Sequence, residues 1–130
     1  MTRDKSEYLQ NWLFRADEDM AVMNNLVKSG ANKYTSTICF HAHQAVEKYL
    51  KAFLVYHDVD FPRTHDLDFL LIECRKIDEH AFDINLKSLT DYGVSVRYPD
   101  DFFIPDITET LQYQAIADNI KNIVKERVII

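Results

Sequence analysis

An all-α, up-and-down antiparallel bundle of about five helices is the fold the sequence predicts, on three observations. The chain has only two glycines and three prolines in 130 residues, too few for the tight turns of an all-β fold. Apolar residues recur at spacings of three and four over long stretches, the period of a helix with one buried face. The breakers Gly30, Pro62, Gly93, Pro99 and Pro105 divide the chain into helical segments joined by short loops. Hydrophobic content of 47% with 28% charged residues is ordinary globular composition, and this length suits one core. Residues 1–130 are therefore expected to form one domain.

The first helix is expected from about Ser6 to Val27. Tyr8, Leu9, Trp12, Leu13, Ala16, Met20, Met23 and Val27 draw one apolar stripe, with Asp17-Glu18-Asp19 on the other side. Lys28-Ser29-Gly30 is a C-terminal stop. The second helix, about Tyr34 to His57, is the spine, roughly 36 Å long at 1.5 Å per residue. Its broad stripe of Ile38, Ala42, Ala45, Val46, Tyr49, Leu50, Phe53 and Leu54 implies neighbours on two sides. Asp58 to Arg63 is a loop, because Pro62 disfavours helix just before it.

The third helix spans about Asp66 to Asp78, with Thr64 as its N-cap and Leu67, Leu70, Leu71 and Cys74 inward. A fourth is expected at about Phe82 to Val96, weakened by Thr90, Gly93 and β-branched residues. Tyr98 to Asp106 is a loop. The fifth starts near Ile107 and runs to the end, with Leu111, Ile116, Ile120, Ile123 and Val124 inward. The Val128-Ile129-Ile130 tail is apolar for a chain end, so it packs on the first helix or meets a second subunit.

A formal charge of −6 argues against gathering nucleic acid through the overall field. It leaves room for a local basic pocket, since screening limits surface charge to a reach of roughly 8 Å. Cys39 and Cys74 match no zinc or redox spacing and read as small buried hydrophobes. With no signal peptide and no membrane-spanning apolar run, a cytoplasmic protein without membrane contact is expected.

Three segments carry possible chemistry. In the second helix Gln44, Lys48 and Lys51 share one face, although Glu47 and Lys51 also read as a plain surface ion pair. His65 and Asp66 stand at the start of the third helix, where backbone N–H groups favour negative charge. His65 either closes the loop or orients a hydrogen bond to the second helix or the Arg97 loop. In Arg97-Tyr98-Pro99-Asp100, Pro99 forces Tyr98 out of helical geometry. Arg97 can grip a phosphate and Tyr98 can stack on a base; alternatively Arg97 bridges to Asp100 or Asp101. No metal site is expected: His41 and His43 point to different faces, and no third ligand completes a set with Cys39 or Glu47.

These segments together resemble the HEPN domain family, over nearly the whole chain. Trp12 with Ala16-Asp17-Glu18-Asp19-Met20 is similar to the family's opening helix, and His43 through Leu54 to its second. Pro62-Arg63-Thr64-His65-Asp66-Leu67 is similar to its third-helix start. Arg97-Tyr98-Pro99-Asp100 is like the arginine–tyrosine–proline element of the small bacterial and archaeal branch. The resemblance implies a helical bundle that pairs as a homodimer and is involved with nucleotides or RNA. No cofactor is expected. Small stand-alone members are often encoded beside a minimal nucleotidyltransferase, as a toxin–antitoxin-like pair. Many relatives are metal-independent ribonucleases marked by an arginine followed, after four to six residues, by a histidine.

Here the chain departs from the pattern. Beyond Arg97 that window holds Phe102, Phe103 and Ile104, none able to transfer a proton. Arg75 and His80 satisfy the gap but lie in the wrong part of the fold. The reading favoured is a nucleotide- or RNA-phosphate-binding homodimer using Arg97, Tyr98, His65, Lys48 and Lys51. A metal-independent endoribonuclease toxin with Arg97 and His65 as its catalytic pair is the alternative, and a helical scaffold without ligand a second one.

Overall fold

A computed structural model describes residues 3–93 and 104–130. Among them are four α-helices and no strand: α1 (Arg3–Gly30), α2 (Thr35–Tyr56), α3 (Leu67–Arg75) and α4 (Ile107–Arg127). The all-helical bundle is as expected, with one α-helix fewer.

α2 is the spine. It packs against α1, α4 and α3, so Ile38, Ala42, Ala45, Val46, Tyr49, Leu50, Phe53 and Leu54 are all buried. α1 sends Leu9, Leu13, Ala16, Met20 and Met23 into that core, while Tyr8 lies half exposed at the stripe's edge. The chain reverses between α1 and α2 at Gly30, whose φ of 138° is a backbone conformation open to glycine and costly for other residues.

The segment expected as a fourth helix, Phe82 to Val96, holds no α-helix among its described residues. It runs through turns into a short 3₁₀ turn at Leu89–Tyr92. Phe82, Leu86, Leu89 and Tyr92 are nevertheless buried. A series of turns that plugs the core every three or four residues has the same period as a helix, which is what misleads sequence reasoning. One local bond and one to the start of α3 take the place of the helical ladder. Asn85 Oδ1 accepts from the Lys87 N–H at 2.8 Å, and Thr90 Oγ1 accepts from the Leu67 N–H at 3.1 Å.

α3 stops at Arg75 rather than Asp78. Its N-cap is Asp66, whose Oδ1 accepts from the Phe69 N–H at 3.2 Å. Thr64, the expected cap, accepts instead from the Asp66 N–H at 3.1 Å, two residues too early. On α4 the inward face is Thr110, Tyr113, Ala117, Ile120 and Val124, and Leu111 is exposed. Tyr113 displaces Leu111 because its ring fills the core while its hydroxyl reaches Glu109 Oε1 at 2.8 Å. At the C-terminus Val128 is buried, whereas Ile129 and Ile130 are exposed. Among the described residues, no helix is long and apolar enough to cross a membrane.

Candidate functional site

His43, Glu47, Lys48 and Lys51 of α2 point into its seams rather than to a solvated face. Glu47 is the centre of one group. Its side chain is 5% exposed and its two oxygens are shared: Oε2 accepts from Lys51 Nζ at 3.1 Å, and Oε1 lies 2.8 Å from His65 Nδ1. Glu47 and Lys51 are therefore an i, i+4 pair, as the spacing suggests, but a buried one rather than a surface one. Lys51 is 6% exposed, and its ammonium sits 5.2 Å from the Trp12 ring centroid and 5.6 Å from that of Phe61. Two aromatic faces and one carboxylate replace the water it has lost.

His65 is the exposed end of this chain of contacts. Its side chain is 75% exposed, and its own carbonyl accepts from His43 Nε2 at 3.1 Å. His43 is wholly buried. That hydrogen bond fixes its proton on Nε2 and leaves Nδ1 without a partner among the described residues. Burial pushes the His43 ring below its ordinary value, with opposition from the Glu47 charge and the His65 carbonyl and reinforcement from Lys48.

The pH consequence follows from proton counting. Above the ordinary histidine value of 6.5, His43 is neutral both folded and unfolded, and stability is complete. As pH falls below it the unfolded chain binds the proton first, so stability drops until the depressed folded value is reached. The melting temperature should fall between about pH 7 and pH 5, and His43→Gln should flatten that limb. An unchanged slope in the variant would assign the acid sensitivity to other groups.

Gln44, Lys48 and Asp19 form a second group. Lys48 Nζ donates to Asp19 Oδ2 and, at 3.4 Å, to Gln44 Oε1; His41 Nδ1 lies 3.0 Å from Asp19 Oδ1. Asp19 thus belongs to the α1–α2 seam and not, with its acidic neighbours, to a solvated side. Burial raises its carboxyl, but hydrogen bonds to His41 and Lys48 and their charges outweigh that, leaving it below the ordinary value. Asp17 next door accepts from the Tyr49 hydroxyl and from Lys125 Nζ. Lys48 also edges a surface hollow of about 370 Å³ lined by Tyr8, Asn11, Trp12 and Arg15.

Of the residues singled out from the sequence, the structure brings His65 against α2 through Glu47. It engages Lys51 with the same carboxylate and turns Lys48 toward α1. Arg97 and Tyr98 lie outside the described residues, as does most of the Tyr98 to Asp106 loop. The segment leading to them departs from the same place. Gln44 Nε2 donates to the Gly93 carbonyl at 3.5 Å, and a Cβ built on Gly93 would stand 2.8 Å from His43 Nε2. Only a glycine lets the backbone pass this close.

The residue sequence reasoning missed is Glu47. Read from spacing, it was one end of a solvated ion pair; its reach to His65 depends on how the loop after α2 folds back. Arg75, which with His80 satisfies the family's gap, has a structural use. Its Nε donates to the Phe82 carbonyl at 2.7 Å and its Nη2 to Ile84 at 3.3 Å, pinning the turns after α3. Cys39 and Cys74 are buried, and burial pushes the Cys39 thiol up to about 11 and raises Cys74 too, which makes both poor nucleophiles.

A four-helix bundle with two polar groups along its central helix, one of them ending in the exposed imidazole of His65, defines a small helical domain with polar seams. The chain belongs to the HEPN domain family, whose model matches residues 9–128. No curated protein and no solved structure matched it. At the level of the family, membership makes this a nucleotide- or RNA-related module.

Proposed function

We propose that the chain is a homodimeric module that binds a nucleotide or an RNA phosphate, working with a nucleotidyltransferase as one half of a toxin–antitoxin-like pair. Arg97 grips the phosphate, Tyr98 stacks on the base, and His65 contacts the ligand beside them. One observation carries the reading: His43 touches both the His65 carbonyl and the backbone at Gly93. The loop bearing His65 and the segment leading to Arg97 thus leave α2 from one point. Arg97 follows Gly93 by four residues in the sequence. Lys48 reaches the ligand only by leaving Asp19, and Lys51 acts through Glu47.

Arg97→Ala is expected to weaken nucleotide or RNA binding by at least tenfold, the scale of one charge-assisted contact. The melting temperature should change little. Calorimetric titration alongside thermal denaturation checks both. A variant that unfolds makes Arg97 a strut and ends the site reading, and no heat from any nucleotide or RNA leaves a scaffold. Exposed Ile129 and Ile130 support the dimer; a monomer at micromolar concentration in light scattering would oppose it.

A second reading is favoured by the contact between His65 and Glu47. An exposed imidazole oriented by a buried carboxylate is the arrangement general acid–base chemistry uses, so a metal-independent endoribonuclease stays in play. It requires EDTA-resistant RNA cleavage leaving a cyclic phosphate, lost in His65→Ala.

A further inference from the structure

The contact between Glu47 and His65 says more than that the two touch. A carboxylate has only lone pairs to offer, so the proton between Glu47 Oε1 and His65 Nδ1 must come from the ring. In neutral His65 this fixes the Nδ1–H tautomer and leaves a lone pair on Nε2. Nδ1 is turned inward to a residue 5% exposed while 75% of the imidazole side chain is in solvent. Nε2 therefore stands at the surface as an acceptor. Two further contacts hold the geometry. Lys51 Nζ, 3.1 Å from the other Glu47 oxygen, holds the carboxylate in place. The bond from His43 Nε2 to the His65 carbonyl fixes the backbone that carries the ring.

We propose that Glu47 is a positioning residue that sets the tautomer of His65, so that His65 accepts a hydrogen bond from a ribose hydroxyl of the ligand. An acceptor lone pair repels a phosphate oxygen, which has no proton to give, and suits a hydroxyl. The 2′-hydroxyl is the group that distinguishes RNA from DNA at a given position. The inference deepens the nucleotide- or RNA-binding reading and rests on it. It assigns the phosphate to other groups and gives His65 the sugar.

The test uses the full chain in three forms: wild type, His65→Phe, and Glu47→Met combined with Lys51→Met. The double change removes both charges together, because a lone charge left in this seam would threaten folding. Nitrogen-15 NMR of the imidazoles at alkaline pH reads the tautomer. Binding is measured with a short mixed-sequence RNA and with uracil-containing DNA of the same sequence, so that only the 2′-hydroxyl differs. Expected are an Nδ1–H signature for His65 in wild type, its loss in the double variant, and a preference for RNA of roughly five-fold. That is the scale of one solvent-exposed hydrogen bond. The preference should vanish in both variants. The double change leaves the net charge as it was, and any remaining electrostatic effect acts on both probes alike, so the ratio reports the hydroxyl alone.

An Nε2–H signature in wild type overturns the proposal. So does equal binding of RNA and DNA, or a preference that survives in either variant, and these outcomes leave the binding reading standing. Failure of wild type to bind either probe removes the RNA reading and the proposal with it.

Discussion

Lys51→Met alone is expected to lower stability by about 3–5 kcal/mol, the cost of leaving a buried carboxylate without its ammonium and with only the His65 ring against it. Glu47 and Lys51 are both nearly out of water, so neither can be solvated when the other is removed. The methionine itself should fit, since its flexible thioether packs well between the Trp12 and Phe61 rings that now face the ammonium. The loss is therefore charge, not shape. Changing both residues to methionine should restore most of the stability, because a well-packed apolar pair often equals or exceeds a buried ion pair. Urea denaturation of the two single variants and the double one gives the coupling directly. If Lys51→Met costs less than about 1 kcal/mol, the seam admits water and behaves as a surface pair.

The second large effect is expected at Asp19. Asp19→Ala removes the one acceptor shared by His41 and Lys48 and should cost about 2–3 kcal/mol, the range for hydrogen bonds to charged groups. Pairing Asp19→Ala with Lys48→Met should recover part of the loss. The carboxyl also contributes to acid stability. It lies below its ordinary 3.8 in the folded protein, so its contribution is complete above that value and is lost as pH falls through the lower folded one. Asp19→Ala should remove that limb from an acid titration of stability. The difference should persist at high salt, since partly buried pairs are screened little. A variant as stable as wild type would show that the α1–α2 seam is held by packing alone.

How much of this was legible in the sequence differs by element. The long helices were, because each buries one face and the 3.6-residue period repeats often enough to be read. Leu9, Leu13, Ala16, Met20 and Met23 announce α1 without help from any neighbour. The turns after α3 were misread for the same reason: Phe82, Leu86, Leu89 and Tyr92 keep the helical spacing, while Asn85 bonds locally and Thr90 bonds to Leu67 at the start of α3. Leu111 looked more apolar than Tyr113, but the inward face of α4 passes through Tyr113, whose hydroxyl has a partner at Glu109. The family motifs of α2 and of the loop after it were visible as a linear pattern. What they do to one another was not.

By itself the sequence determined the helical class, the spine and its apolar faces, and the presence of charged and imidazole groups on them. These are properties of short stretches, where period, propensity and caps act within a few residues. Only the tertiary structure decided that Glu47 turns from solvent to His65, that Asp19 leaves the acidic face of α1 for the seam, and that Gly93 passes over His43. Those outcomes depend on contacts between groups 18 to 50 residues apart. The energy of such a contact depends on how much water the packed neighbours exclude, and no local pattern encodes it.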